Sequence, residues 1–294
     1  MGALAEYADQ SVTVGPEELH EIQSACRQHK MAIVLGVSER VARGYTLFNS
    51  QVYINAEGRI IGVHRKLQPT YVERMVWAQG GGHTLRVYDS LGDFRIGGLC
   101  CWENTMNGAR QALIQDGEEI HCGAWPALST MAGFEPAANA QIEALMKNHA
   151  LTGQTFVICA SNYVDDTCLN WMRDHLGEQN LVKAGGGWSA IIHPFCLFLA
   201  GPHEGATEKL VEAEIDLVQM GPVKVWIDSS GHYKRPEVIN FSIDRKPIWT
   251  DDVNSAAWPL EEEDQTPFRG GKEHGNVKGV NQEGIKRSQQ EDSS

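Results

Sequence analysis

"RIGGLCCWENTMNGARQALIQDGEEIHCGAWP", residues 95–126, decides how this chain folds. An apolar run, "RIGGLCC", reads as a buried strand. "TMNGARQALIQDG" reads as a helix that Gly117 stops at its C-cap, and "EIHCGAWP" reads as a second buried strand. Beyond it, "AANAQIEALMKNHALTG" is an amphipathic helix closed by Gly153, and "TFVICASNY" is another strand. Strand, helix, strand, helix, strand over 95–163 predicts a sheet with helices packed on it. Two cysteines, Cys100 and Cys101, stand where the first strand gives way to the helix, at the carboxyl edge of such a sheet. Open α/β sheets put their sites there. Strand alternation sends the two thiols to opposite faces, so at most one points at a site; the bland alternative is two small core residues.

Upstream, "GPEELHEIQSACRQHK" reads as a helix with Pro16 in its first turn, and "MAIVLGVSE" as a buried strand. "TLFNSQVYI" and "RIIGVHRK" flank the turn "NAEG", where Gly58 is free to take a positive φ. "TLRVYDS", residues 84–90, reads as a further strand. So do "WSAIIHPFCLFLAGP" and "KLVEAEIDL" downstream. A helix, and not a strand, opens the pattern after a polar lead-in, which is unusual for an α/β domain.

The 294 residues are 42% hydrophobic, enough for a sizeable core, and carry a formal net charge of −13. No basic stripe survives that balance, so no nucleic-acid partner is expected. No run of 18 apolar residues exists and the first residues lack the form of a secretory signal, so no membrane association is expected. Seven cysteines, an odd number, several of them in strand-like runs, suit a reduced, cytoplasmic protein. No Cys/His spacing reads as a zinc site, and no cofactor is expected; "GGGWSAIIHP" lacks the spacing of a phosphate loop. From Asp251 to the end the chain is polar and poor in aliphatics, so a domain over 1–250 and a disordered tail over 251–294 are predicted.

A second stretch completes the chemistry. In "HRKLQPTYVERMVWAQGGG", residues 64–82, a strand runs into Lys66, Pro69 breaks it, and Glu73 follows. Taken alone, Lys66 and Glu73 read first as a solvated surface ion pair. Together, however, "HRKLQPTYVER", "GLCCWEN", "KAGGGWSAIIHPF", "LAGP" and "DSSGHYKRPEV" make residues 10–245 resemble the nitrilase branch of the carbon–nitrogen hydrolases.

The resemblance implies an α-β-β-α sandwich, lacking here its first strand–helix–strand segment. It implies a Cys101 nucleophile, a Lys66 that stabilises charge, and a Glu73 that lines the site and holds the lysine. It also implies hydrolysis of an organic nitrile to acid and ammonia through a Cys101 thioimidate, and assembly into a homo-oligomer. Two alternatives stay open: nitrile or cyanide hydration stopping at the amide, and a non-catalytic interaction subunit. The family's general base is a glutamate ending a strand in a "PE" context upstream of the lysine. No glutamate in residues 1–65 matches it, Glu39 falling at a position of structural use, so reduced turnover is expected. Trp102, Glu103 and Trp125 are the expected substrate-binding residues. Trp125 either walls the pocket or packs the core, and Glu103 either assists or caps the following helix. His149 reads as a packed helix residue, and Cys196 stands where the family commonly has Gly.

Overall fold

The computed structural model describes residues 2–249 apart from 16, 90 and 206; the predicted tail over 251–294 lies outside them. Helix α1 (Gly2–Asp9) leads, and α2 (His20–His29) follows. Strands β1 (Ile33–Arg40), β2 (Leu47–Ile54) and β3 (Ile60–Arg65) form an antiparallel sheet in that order. The hairpin between β2 and β3 turns at Gly58, whose φ is +74° as the sequence requires. Alternation along β2 sends Val52 and Ile54 toward Ile22 and Cys26 of α2, and Tyr53 to the opposite face.

The predicted alternation then appears as β4 (Ile96–Cys100), α3 (Asn107–Gln115), β5 (Ile120–Trp125), α4 (Ala138–Gly153) and β6 (Phe156–Ser161). A short pair, β7 (Tyr163–Val164) with β8 (Gly185–Gly186), flanks α5 (Asp166–Leu176). Strands β9 (Trp188–Ile192) and β10 (Phe198–Glu204) follow, then α6 (Met220–Trp226). The second sheet has the order β10-β9-β6-β5-β4, with β4, β5 and β6 parallel and β9 and β10 antiparallel.

The two sheets meet face to face. Tyr53 of the first packs with Ile96, Ile120 and Phe156 of the second, and Gln51 Nε2 donates to Cys122 O at 3.1 Å. Gly98 makes room for this approach: a β-carbon there would lie 2.5 Å from Gln51 Oε1 of the facing sheet. On the outer face of the second sheet, Ile142, Met146 and Ala150 of α4 cover Val157, Cys159, Ala190 and Ile192. Helix, sheet, sheet and helix therefore stack as the α-β-β-α sandwich that the resemblance implies.

Several elements differ from expectation. Residues 84–89 are not a strand: Leu85 and Tyr88 are buried at a spacing of three, which strand alternation cannot produce, and the one ladder contact is Tyr88 with Ile96. Residues 209–217 keep their alternation, with Val211, Ala213, Ile215 and Leu217 half-buried between exposed neighbours, yet no strand pairs with them among the described residues. Helix α4 runs through Gly153, and Gln154 takes the left-handed cap at φ 51°. Helices α1 and α5 were not expected. Asp165 caps α5 by accepting from Cys168 N at 2.7 Å, and no residue of α5 is buried. No helix among the described residues is long and apolar enough to cross a membrane.

Candidate active site

Two strand ends build the site. At the end of β3, Lys66 is fully buried, its N–H bonded to Asn49 O at 2.8 Å. Pro69 stops the extended chain, and residues Tyr71–Met75 form a single 3₁₀ turn. Thr70 and Glu73 make a capping box across that turn, so Glu73 folds back and its Oε2 accepts from Thr70 N at 2.7 Å. The same oxygen accepts from Lys66 Nζ at 2.6 Å. A lysine and a glutamate seven residues apart are thus brought together by the turn chemistry between them.

At the end of β4, the chain leaves the strand at Cys101 with φ +55° and enters a 3₁₀ turn over Cys101–Thr105. A side chain at positive φ is costly, about 1–3 kcal/mol, and such residues concentrate at active sites. Cys100 stays in the strand. Burial drives its thiol well above the ordinary range, with the Glu103 charge adding to it.

Burial also pushes the Cys101 thiol up, to about 11. The Lys66 ammonium and the Trp102 N–H pull it down, and Glu73 and Glu103 push it up. Lys66, Glu73 and Cys101 therefore act on one another electrostatically, though 35 residues of sequence separate the lysine from the cysteine.

Glu103 is not at an open wall of the site. It is 1% exposed, and its Oε1 accepts from Leu67 N at 2.7 Å while Oε2 accepts from Cys100 N at 2.9 Å. One carboxylate thus ties the residue after Lys66 to the residue before Cys101. His64 Nε2 lies 3.1 Å from both carboxylate oxygens, and its Nδ1 faces Thr84 O at 3.1 Å. Both ring nitrogens meet acceptors, so both carry protons. Burial opposes that charge, but Glu103 outweighs it and the His64 pKa is raised. Burial likewise opposes the Glu103 carboxylate, yet His64 and the two backbone N–H groups leave its pKa lowered.

Aromatic residues share the apolar cluster of Cys101. Cys101, Trp125 and Trp188 belong to one apolar cluster, with Trp102 and Phe134 packed against it, ring centroids 5.5 Å apart. Trp125 is 4% exposed, so it takes part in the core as well as in the surroundings of Cys101. A cavity of about 510 Å³ lies elsewhere, lined by Thr130, Tyr163, Gly186 and Glu204 among others, and includes none of the expected site residues.

Glu39 is spent on structure: buried in β1, it accepts from Arg65 and from Ser50 Oγ at 2.7 Å, with the guanidinium over Phe48. His149 packs inside α4 as expected, but it has a polar partner, Glu118 Oε2 at 2.7 Å from its Nε2, and it stacks on His121 with centroids 3.8 Å apart. Potential ligand atoms of Glu118, His121 and His149 all lie within 4.8 Å of one another. Sequence spacing gave no sign of this group, because 31 residues separate Glu118 from His149. Cys196 holds φ +64°, a conformation glycine adopts without strain.

Comparison with known proteins agrees with this architecture. The carbon–nitrogen hydrolase family model matches residues 2–225. An aliphatic nitrilase of Rhodococcus rhodochrous is 34% identical over 252 residues, covering 85% of this chain and 67% of that protein. A bifunctional nitrilase/nitrile hydratase of Lupinus angustifolius is 32% identical over 269 residues, covering 87% of this chain and 71% of that one. A Saccharomyces cerevisiae member of branch 10 of the nitrilase superfamily superposes with a TM-score of 0.62 at 15% identity, covering 79% of this chain and 78% of that one. The chain spans about two thirds of the length of the curated relatives it matches. With the family model covering most of the chain and the sandwich matching in space, this protein belongs to the carbon–nitrogen hydrolase family.

Proposed function

We propose that the chain is a nitrilase, converting an organic nitrile and water to a carboxylic acid and ammonia with Cys101 as nucleophile. The observation that carries this reading is the left-handed turn at Cys101, at the carboxyl edge of the parallel strands β4 to β6 and within the field of a buried Lys66 that Glu73 holds. The Cys101 sulfur adds to the nitrile carbon and the nitrogen takes up a proton, giving a thioimidate. The Lys66 ammonium stabilises the charge that develops on nitrogen. Water adds, ammonia leaves, and a second water releases the acid from the resulting thioester. Trp102 and Trp125 offer apolar walls to the organic part of the substrate, which supports an alkyl or aryl nitrile. Glu103 holds the backbone of the site from beneath.

A thiol that ionises near 11 must hand its proton to a base as it attacks. Glu73 and Glu103 already accept hydrogen bonds from Lys66, Thr70, Leu67, Cys100 and His64. We therefore propose that turnover by these 294 residues is low. Nitrile consumption measured against Cys101→Ala checks this, and turnover at the rate of an ordinary enzyme, about 10 s⁻¹, would refute the claim. Product analysis decides between acid and amide, an alternative that the bifunctional relative's name supports. Cys101→Ala abolishes both products. A parent chain that consumes no nitrile, while its Cys101 labels no faster than an ordinary thiol, instead supports an interaction subunit.

The seven free cysteines, Cys168 among them exposed, suit a reducing cytoplasm. The exposed Trp171 and Leu176 of α5 support a homo-oligomer, which light scattering checks.

A further inference from the structure

Beneath the nucleophile's turn lies a buried series of polar groups that the hydrolysis above does not use. Asn104, fully buried, donates its side-chain amide to Leu99 O at 3.2 Å and to Cys101 O at 2.8 Å. With both amide protons committed, only Oδ1 remains, and it faces His121 Nε2 at 2.9 Å. His121 Nδ1 faces Glu118 Oε1 at 2.8 Å, and Glu118 Oε2 takes His149 Nε2 at 2.7 Å. Glu118, His121 and His149 are each 2% exposed or less. Every donor and acceptor direction from Glu118 to Asn104 follows from its neighbour: the carboxylate needs a donor from His121, and Asn104 Oδ1 needs another.

The two Asn104 bonds straddle the strained residue, one on the carbonyl two residues before Cys101 and one on its own. Strain at a non-glycine positive φ persists only where the surroundings over-determine it. We propose that Glu118, His121 and Asn104 form a positioning relay that fixes the left-handed turn of Cys101 and so the direction of its thiol. Asn104 is the positioning residue at the nucleophile's backbone; His121 and Glu118 act through it. The proposal rests on Cys101 being the nucleophile, but not on the substrate being a nitrile. Glu118 and His121, together with His149, have the mutual spacing of metal ligands. However, each imidazole already points a nitrogen at its own carboxylate oxygen, and the second nitrogen of His121 is taken by Asn104.

The test uses the full 294-residue chain, iodoacetamide labelling mapped cysteine by cysteine, and nitrile turnover measured separately. His121→Phe and Asn104→Leu each free the turn. Labelling of Cys101, 5% exposed in the parent, rises several-fold relative to the exposed Cys168, while Cys26 and Cys159 stay protected. Where the parent turns over nitrile, kcat falls by about tenfold or more with KM little changed, the cost of a misplaced nucleophile. His121→Gln, whose amide reaches the Nε2 position, keeps the donor to Asn104 and stays near the parent in both readouts. Parent-like labelling in both disruptive variants overturns the relay. So does simultaneous exposure of Cys26 and Cys159 in both, His121→Gln behaving as His121→Phe, or a stoichiometric metal in the purified chain. If labelling changes as expected while the parent consumes no nitrile, the relay stands and the hydrolytic reading falls.

Discussion

Cys100 and Cys101 are neighbours, both buried and both under the field of Lys66 and the two glutamates, yet only Cys101 has left the strand. With its ionisation near 11, the Cys101 thiol is almost wholly protonated at neutral pH, and its alkylation rate climbs with pH well past the range where an ordinary thiol levels off. Lys66→Met removes the cation that lowers that value. Cys101 labelling at pH 9 then becomes slower, with Cys168 as internal reference; faster labelling would show that Lys66 does not act on the thiol. At this scale the sequence was informative within contiguous motifs: Lys66, Glu73 and Cys101 were candidates there through the family resemblance, and the fold brings Glu73 onto Lys66. His64 and Asn104 lay inside the same motifs, but their roles come from partners far along the chain. Glu103 is 39 residues from His64, and His121 is 17 from Asn104. No spacing rule joins residues whose contact exists only after strands far apart in the chain have packed.

At the scale of elements, the turn over 70–75 sets the lysine. Thr70→Ala removes the side-chain half of the capping box while leaving the Thr70 N–H bond to Glu73. Loss of an N-terminal cap costs about 1 kcal/mol. Glu73 is then held less firmly against Lys66, so kcat falls while the global unfolding midpoint moves little; Thr70→Ser, which keeps the hydroxyl, restores it. Nitrile turnover and urea unfolding on the three chains check this. The hairpin at Gly58 and the βαβα run from β4 to β6 were legible because periodicity, glycine and helix stops agree there. Residues 209–217 show the limit: their alternation is real, and Ile215 and Leu217 do pack on the Tyr53–Phe156 core. Alternation reports which face is wet, however, and not whether a neighbouring strand is present to pair. Helix α5 does carry an apolar stripe, Cys168, Met172 and Leu176 at helical spacing, but among the described residues it packs none of it into the core.

At the scale of the whole molecule, buried histidines of opposite sign shape stability against pH: burial drives His83 and His149 down to about 4, and Glu103 holds His64 up against its burial. His149 faces Glu118, His121 and Arg110. Burial, reinforced by His121, drives its pKa down to about 4 against an ordinary 6.5, with Glu118 offsetting only part of this. As pH falls below 6.5 the unfolded chain binds a proton that folded His149 refuses, so stability drops until about pH 4. Glu118, brought down to about 2 by His121 and His149 against the effect of burial, deepens the loss from 4.5 downward. His64 works the other way. Its pKa is raised in the folded protein, so its contribution is complete below 6.5 and disappears as pH rises through the folded value. The urea midpoint therefore rises from pH 4 toward 6.5 and declines above it, each group changing stability by at most about 1.4 kcal/mol per pH unit. His149→Leu lowers the midpoint by stripping Glu118 of a partner, yet flattens the limb between pH 4 and 6.5. His64→Gln flattens the limb above 6.5 and leaves the acid side intact. Both variants keeping the parent's slopes on both sides would mean that neither histidine changes its proton affinity on folding.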